Sequence, residues 1–312
     1  MVNGQPRVGL GRALSAWLAL ARLPFHSVGV LPFLLGGLLA WRLTATFDWA
    51  VLGWGTVGVI LVMLATYFAG EYWDVEEDAL SARLGPSRFA GGSQIILQGL
   101  LPRHAPLRAS LASLALAIVV ALVLQVGYRT GSWTVPFCLL GLLGGFFYSA
   151  RPVRWVSRGW GELWIAFCYG WLPVAVGCYL QMGEIPPLVH WLSLPIGLTI
   201  LNVILLNEFP DHAADAAAGK ANLLVRLGPE WGATLYALVA AASWATVALS
   251  IRRGVPARLL WLYLPVLALS IAVVLNVLRG RWRDRPALER LCAANLGVNL
   301  GTTAAYMLAL AW

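Results

Sequence analysis

Charge is what this sequence has least of. Only 12% of its 312 residues are Asp, Glu, Lys or Arg, against roughly a quarter in soluble domains. Apolar residues make up 60%, so the chain reads as a polytopic membrane protein. Alternation of polar and apolar residues is also missing, which excludes a transmembrane barrel and leaves helices. No polar linker is long enough to separate soluble domains. Residues 1–312 are therefore expected to form one domain, with 1–24 as a cytoplasmic or interfacial N-terminal segment.

Metal-binding thiols and imidazoles are scarce as well. The four cysteines, Cys138, Cys168, Cys178 and Cys292, lie in apolar runs without a CxxC spacing and read as packing residues. The histidines, His26, His104, His190 and His212, are scattered, and no two have metal-ligand spacing. The net charge of +8 is no sign of nucleic acid, because the basic residues sit between apolar runs, where membrane topology accounts for them.

The apolar runs divide into nine expected spans: 25–43, 49–73, 106–127, 132–149, 160–181, 188–208, 231–251, 258–278 and 290–311. Seventeen of the 22 basic residues fall on the side of the N-terminus, and only Arg42, Arg129, Arg252, Arg253 and Arg258 on the other. That bias places the N-terminus in the cytoplasm and Trp312 outside a cytoplasmic membrane. Tryptophans near span ends, among them Trp41, Trp49, Trp133, Trp160 and Trp231, read as interfacial belts. Gly36, Gly37, Gly141 and Gly145 would let helices approach closely.

The few acids are not spread evenly. Eight of the fourteen lie in two stretches, GEYWDVEEDAL from Gly70 and NEFPDHAAD from Asn207. Laying Asp74 on Asp211 puts Asp78 on Asp215, Glu71 on Glu208 and Gly70 on Asn207. Each pair of aspartates is four residues apart, so on a helix the two carboxylates share one face about 5 to 6 Å apart. Each cluster ends an apolar run, and the charge bias puts both on the cytoplasmic side. Carboxylates at that depth are costly and point to a function. Oxygen-only ligands in two facing half-sites select a hard cation such as Mg²⁺. Glu76 and Glu77 read as solvated.

Bases follow each cluster: Arg83 and Arg88 the first, Lys220 and Arg226 the second. Mg²⁺ is commonly shared between carboxylates and substrate phosphates, and Arg and Lys hold phosphate directly. The pattern describes a diphosphate clamp at the mouth of an apolar chamber, suited to a ligand with a diphosphate head and a hydrocarbon tail. An allylic cation left by departing diphosphate would need aromatic faces, for which Tyr72, Trp73, Phe147 and Tyr148 are candidates.

Around these residues the chain resembles the UbiA superfamily of intramembrane prenyltransferases, and within it the 1,4-dihydroxy-2-naphthoate branch of menaquinone synthesis. The resemblance rests on Asp74 and Asp78 in the first acidic motif, with Glu71 replacing the Asp of its second position. In the second it rests on Asp211 and Asp215, with Gly219, Lys220 and Leu223 following. Flanking matches are ARLP at Arg22, RLGPSR from Arg83 to Arg88 and YSARPVRWVSRGWGEL from Tyr148 to Leu163. It implies an all-α fold of about nine transmembrane helices around a central cavity. It also implies Mg²⁺-dependent transfer of a polyprenyl group from its diphosphate to an aromatic quinone precursor. The implied metal ligands are Glu71, Asp74, Asp78, Asn207, Asp211 and Asp215. Lys220, Arg88, Arg22, Tyr148 and Arg151 are the implied diphosphate contacts. Three further positions depart from the family pattern: its opening Asn is Gly70 here, its Thr after GKx is Asn222, and the Lys expected soon after Arg22 is absent. Glu71 or water would then fill the gap left by Gly70. Another aromatic or lipid acceptor, or internal cyclisation of the cation, are the alternatives within the superfamily. A divalent-cation transporter is the alternative of a different class.

Overall fold

The computed structural model describes residues 9–84, 87–89 and 91–312. Arg7, and Gly85 and Pro86 of the RLGPSR stretch, lie outside them. The regular structure among the described residues is all helical: α1 (Leu10–Ala21), α2 (Ser27–Thr44), α3 (Trp49–Trp73), α4 (Val75–Leu84), α5 (Ala105–Leu122), α6 (Thr134–Ser149) and α7 (Gly161–Ala166). They continue with α8 (Leu172–Met182), α9 (Leu188–Glu208), α10 (His212–Ala217), α11 (Leu223–Leu227), α12 (Pro229–Arg252), α13 (Leu259–Leu278) and α14 (Arg285–Ala311).

Local chemistry fixes several boundaries. The Asp48 carboxylate accepts the free amides of Ala50 at 2.8 Å and Val51 at 3.0 Å and so starts α3. Asp284 does the same for α14 through Ala287 at 3.0 Å. α1 ends at Arg22, which adopts a left-handed φ of 48°. It packs Ala16, Leu20 and Ala21 with Phe68 and Ile95, and leaves Leu14 and Leu18 exposed, as an interfacial helix does.

Seven helical stretches, from Gly11–Thr44 to Leu259–Leu278, are long and apolar enough to cross a bilayer. The expected count of nine is not met on that measure, for two physical reasons. The 132–149 segment forms α6, which is apolar but only 16 residues long. The 290–311 segment lies in α14, long at 27 residues but carrying buried Asn295, Asn299, Thr302 and Thr303. The donors of all four are satisfied inside the bundle. Tyr236 Oη donates to Asn295 Oδ1 at 2.8 Å, Asn295 Nδ2 to the Asn202 carbonyl at 2.9 Å, and Asn299 Nδ2 to Thr199 Oγ1 at 2.9 Å. The expected helix over 160–181 is split by a π-helical turn, Phe167–Trp171, between α7 and α8.

α2 packs on α8, α3 on α5 and α6, and α9 on α12 and α14. The α2–α8 contact is backbone against backbone. A Cβ on Gly36 would lie 2.1 Å from the Val174 carbonyl oxygen, and one on Gly177 2.0 Å from that of Phe33, so only glycine fits. Among the expected belt tryptophans, Trp49, Trp133, Trp160 and Trp231 are exposed at or beside helix ends.

Candidate active site

The two acidic clusters occupy equivalent places. α3 stops at Trp73 and α9 at Glu208, and the short helices α4 and α10 begin shortly after each. The aspartates thus sit on fresh helical turns rather than on continuations of the long helices. Asp78 N donates to the Asp74 carbonyl at 2.9 Å, and Asp215 N to that of Asp211 at 2.8 Å. α4 packs against α10, which brings the half-sites face to face. Ser81 on α4 hydrogen-bonds Asp211 and so ties one half to the other.

Between them lies an open cavity. Its polar end is lined by Glu71, Asp74, Asp78, Asn207, Asp211 and Asp215, with Arg22 and Lys220 beside them. Deeper in, Phe25, Tyr67, Tyr148, Ile165, Tyr169 and Ile200 form the walls. A loop through Gly91 and Gly92 closes on the first cluster. A Cβ on Gly92 would come within 2.0 Å of the Asp78 carboxylate, and φ there is +63°. Only glycine lets the backbone approach so near.

Each carboxylate has a defined surrounding. Lys220 Nζ lies 2.9 Å from Asp215 Oδ1, and Asn222 Nδ2 donates to Asp215 Oδ2 at 2.8 Å. Burial raises the Asp215 pKa although Lys220 pulls it down. Burial works against the Lys220 charge, but Asp74 and Asp215 more than offset this and hold its pKa above the ordinary lysine range. The Asp78 pKa is pushed well above the carboxylate range, first by burial and then by Asp74 and Glu71. Ser149 and Arg154 both hydrogen-bond Asp74, the latter at 3.2 Å.

Several expectations need correction. Glu71 does line the cavity, but its Oε1 accepts from Arg22 at 3.1 Å and from the Ser93 amide at 2.9 Å, and its Oε2 from the Ser93 hydroxyl at 2.6 Å. Arg22 and Ser93 thus hold the Glu71 carboxylate in place at the cavity wall. Arg88 and Arg151 are exposed and do not line the cavity. The arginine of that region which reaches the cluster is Arg154, turned inward from a left-handed φ of 49° to pair with Asp74 and Glu77. Glu77 is therefore buried and paired, whereas Glu76 is solvated as expected. Tyr72, Trp73 and Phe147 do not line the cavity; its aromatic wall is Phe25, Tyr67, Phe89, Tyr148 and Tyr169. Ser81, Ser93, Ser149 and Arg154 carried no sequence signal of their own, apart from the place of the last two in the stretch YSARPVR.

An all-helical membrane bundle with paired aspartate half-sites at the mouth of an aromatic cavity is the architecture of an intramembrane enzyme acting on a polar-headed lipid. The UbiA prenyltransferase family matches residues 30–296, and the chain belongs to that family. It is similar to the 1,4-dihydroxy-2-naphthoate octaprenyltransferase of Bacillus subtilis (24% identity over 80% of this chain and 76% of that one). It is also similar to the 2-carboxy-1,4-naphthoquinone phytyltransferase of Synechocystis (24%, over 91% and 88%). A shorter stretch also matches a bacteriochlorophyll synthase chain, so the relatives span several branches of the family. In fold it matches a UbiA homolog from Archaeoglobus fulgidus bound to GPP and Mg²⁺, with a TM-score of 0.66 and 16% identity over 93% of this chain and 99% of that one. The protein is a membrane prenyltransferase.

Proposed function

We propose that the protein transfers a polyprenyl group from its diphosphate to an aromatic quinone precursor, with 1,4-dihydroxy-2-naphthoate as the acceptor. The observation that carries this reading is the cavity itself, with carboxylates and two cations at one end and tyrosine rings and aliphatic walls at the other. The donors fit Mg²⁺. Asp74, Asp78, Asn207, Asp211 and Asp215 offer oxygen ligands, and Asp78 is crowded by like charges that a cation would neutralise. Bound Mg²⁺ would offset the charge that collects on departing diphosphate.

The chain's own residues account for the rest. Lys220 and Arg22 line the same polar end, and their positive charges attract the diphosphate and stabilise it as it leaves. The C1–O bond of the donor breaks, and the rings of Tyr67, Tyr148 and Tyr169 face the allylic cation. Ile165, Ile200, Val203 and Ile204 keep water from it. A nucleophilic ring carbon of the acceptor then forms the new C–C bond, and the group it carried leaves, as a proton or, at the carboxylated carbon, as CO2, to restore the aromatic ring. Nine crossings with a cytoplasmic N-terminus and cytoplasmic mouth, in one domain, complete the reading. Lipid extracts from membranes incubated with octaprenyl diphosphate, dihydroxynaphthoate and Mg²⁺ should contain the prenylated naphthalene by mass spectrometry. If a prenylated product forms only with a different acceptor, the naphthoate assignment fails. If no acceptor is prenylated, the whole reading does.

A further inference from the structure

The turn between α13 and α14 gathers Arg279, Arg281, Arg283, Arg285 and Arg290 against only Asp284 and Glu289. Its shape is fixed by one of these arginines. Gly280 takes a left-handed φ of +73°, and a Cβ there would lie 2.0 Å from Arg283 Nη1, because the Arg283 side chain folds back across the glycine. The Arg283 guanidinium stands 4.2 Å above the Trp282 ring and donates to Glu230 Oε1 on α12 at 3.0 Å. Asp284 is engaged by the Ala287 amide at the start of α14.

Arg279 and Arg281 are different. Both are exposed, and neither guanidinium has a hydrogen-bond or ion-pair partner among the described residues. By contrast Arg158 and Arg226, on other loops, are turned onto backbone carbonyls, Arg158 onto those of Val153 and Pro152 and Arg226 onto those of Ala221 and Arg158. Just before the turn, α13 exposes Ile271, Leu275 and Leu278, spaced four and three residues apart and so on one face. A strip of hydrocarbon on a membrane-crossing helix therefore ends at two guanidiniums that no carboxylate neutralises. A phospholipid has the same order, acyl chain and then phosphate. Free phosphate would make no use of the strip.

The turn also leans on the active site. Trp282 packs on Phe209 with ring centroids 5.2 Å apart. Phe209 is buried, stands between Glu208 and Asp211 in the second acidic cluster, and shares a core with Leu224 of α11 and Ala233 of α12. Together with the Arg283–Glu230 pair, this ties the turn to the elements on either side of Asp211, Asp215 and Lys220. It also sets the turn at the end of the bundle where the cavity opens.

We propose that the α13–α14 turn binds an anionic phospholipid of the leaflet at the cavity mouth. Arg279 and Arg281 hold its phosphate, and Ile271, Leu275 and Leu278 lie along its chain. Through Trp282 and Phe209 the bound lipid steadies the second acidic cluster.

Native mass spectrometry of the purified protein with phosphatidylglycerol or phosphatidylcholine reads the site without turnover. Phosphatidylglycerol should be retained at least fivefold over phosphatidylcholine, since each arginine near an anionic lipid surface contributes a factor of about five. Arg279→Gln with Arg281→Gln should abolish the preference, and either change alone should lose part of it. Arg103→Gln with Arg108→Gln removes the same charge at the same end of the bundle and should leave the preference intact. Equal loss in the two double variants, or displacement of the lipid by excess inorganic phosphate, would overturn the site. The coupling is read by hydrogen exchange over residues 205–218 in nanodiscs. Phosphatidylglycerol in a phosphatidylcholine bilayer should slow that exchange at least threefold in wild type. Trp282→Leu should keep the lipid preference and lose the slowing. Exchange that ignores phosphatidylglycerol, or slowing that survives Trp282→Leu, would contradict the link to the second acidic cluster.

Discussion

Arg154 offers a test in which the structure supplies the magnitude. Its guanidinium is 17% exposed and pairs with Asp74 and Glu77, whose side chains are 15% and 10% exposed. Replacing it by Met keeps the aliphatic stem and the backbone turn but leaves two largely buried carboxylates without their cation. Removing one partner of a buried ion pair costs about 3 kcal/mol or more. For a chain of this size that corresponds to a fall of roughly 6 °C in the unfolding midpoint. The effect should depend on pH in a fixed direction. Burial works to raise the Glu77 pKa, but Arg154 overrides it, so the folded-state pKa lies below the ordinary value. A depressed carboxylate contributes stability that is present above its unfolded pKa and lost as the pH falls through the folded one. The gap between wild type and Arg154→Met should therefore be full at neutral pH and close as the solution is acidified below the carboxylate range. Thermal unfolding in detergent, followed by intrinsic fluorescence across pH, measures both. A gap under about 1 °C at neutral pH, or one that widens in acid, would refute the paired arrangement.

Other consequences follow from the same geometry. Lys220→Met should lower kcat on the order of 100-fold, as loss of one preorganised charge at a leaving group does, and steady-state kinetics would show it; an unchanged kcat would place Lys220 outside the reaction. Glu71→Gln should raise KM for the prenyl diphosphate by loosening Arg22 while leaving the Mg²⁺ dependence in place, because both Glu71 oxygens are engaged by Arg22 and Ser93; a higher Mg²⁺ requirement would make Glu71 a ligand after all. A cysteine introduced beside Lys220 should react with an impermeant reagent only from the cytoplasmic side, and one beside Arg253 only from outside.

The features of the site that could be read from the chain are those whose signal is a spacing. Asp74 with Asp78, and Asp211 with Asp215, are i, i+4 pairs in both sequence and structure, because a helical turn converts that spacing into proximity regardless of what surrounds it. Positions beyond a helix end are different. Nothing in RPVRW distinguishes Arg151 from Arg154, and the choice is made by a left-handed turn that points Arg154 back at Asp74. Neighbouring residues on a helix point about 100° apart, so Tyr148 can face the cavity while Phe147 faces away from it, and the apolar run from Thr134 to Ser149 has no amphipathic stripe to decide between them. Ser93 reaches Glu71 from a loop, for which periodicity gives no guide. α14 falls short on hydropathy because that measure cannot tell an asparagine facing lipid from one bonded to a neighbouring helix, as Asn295 is to Tyr236 and Asn202.

Whether both acidic clusters act as one site is tested most directly by a double-mutant cycle, with kcat/KM for prenyl transfer measured in wild type, Asp74→Asn, Asp211→Asn and the double variant, each shown to be folded in membranes. Residues that serve one unit are strongly non-additive. Each single change should lower kcat/KM by about 10³-fold, and the double by no more than about tenfold beyond either. Single effects that multiply in the double variant, or a single variant that keeps full activity, would contradict the shared site.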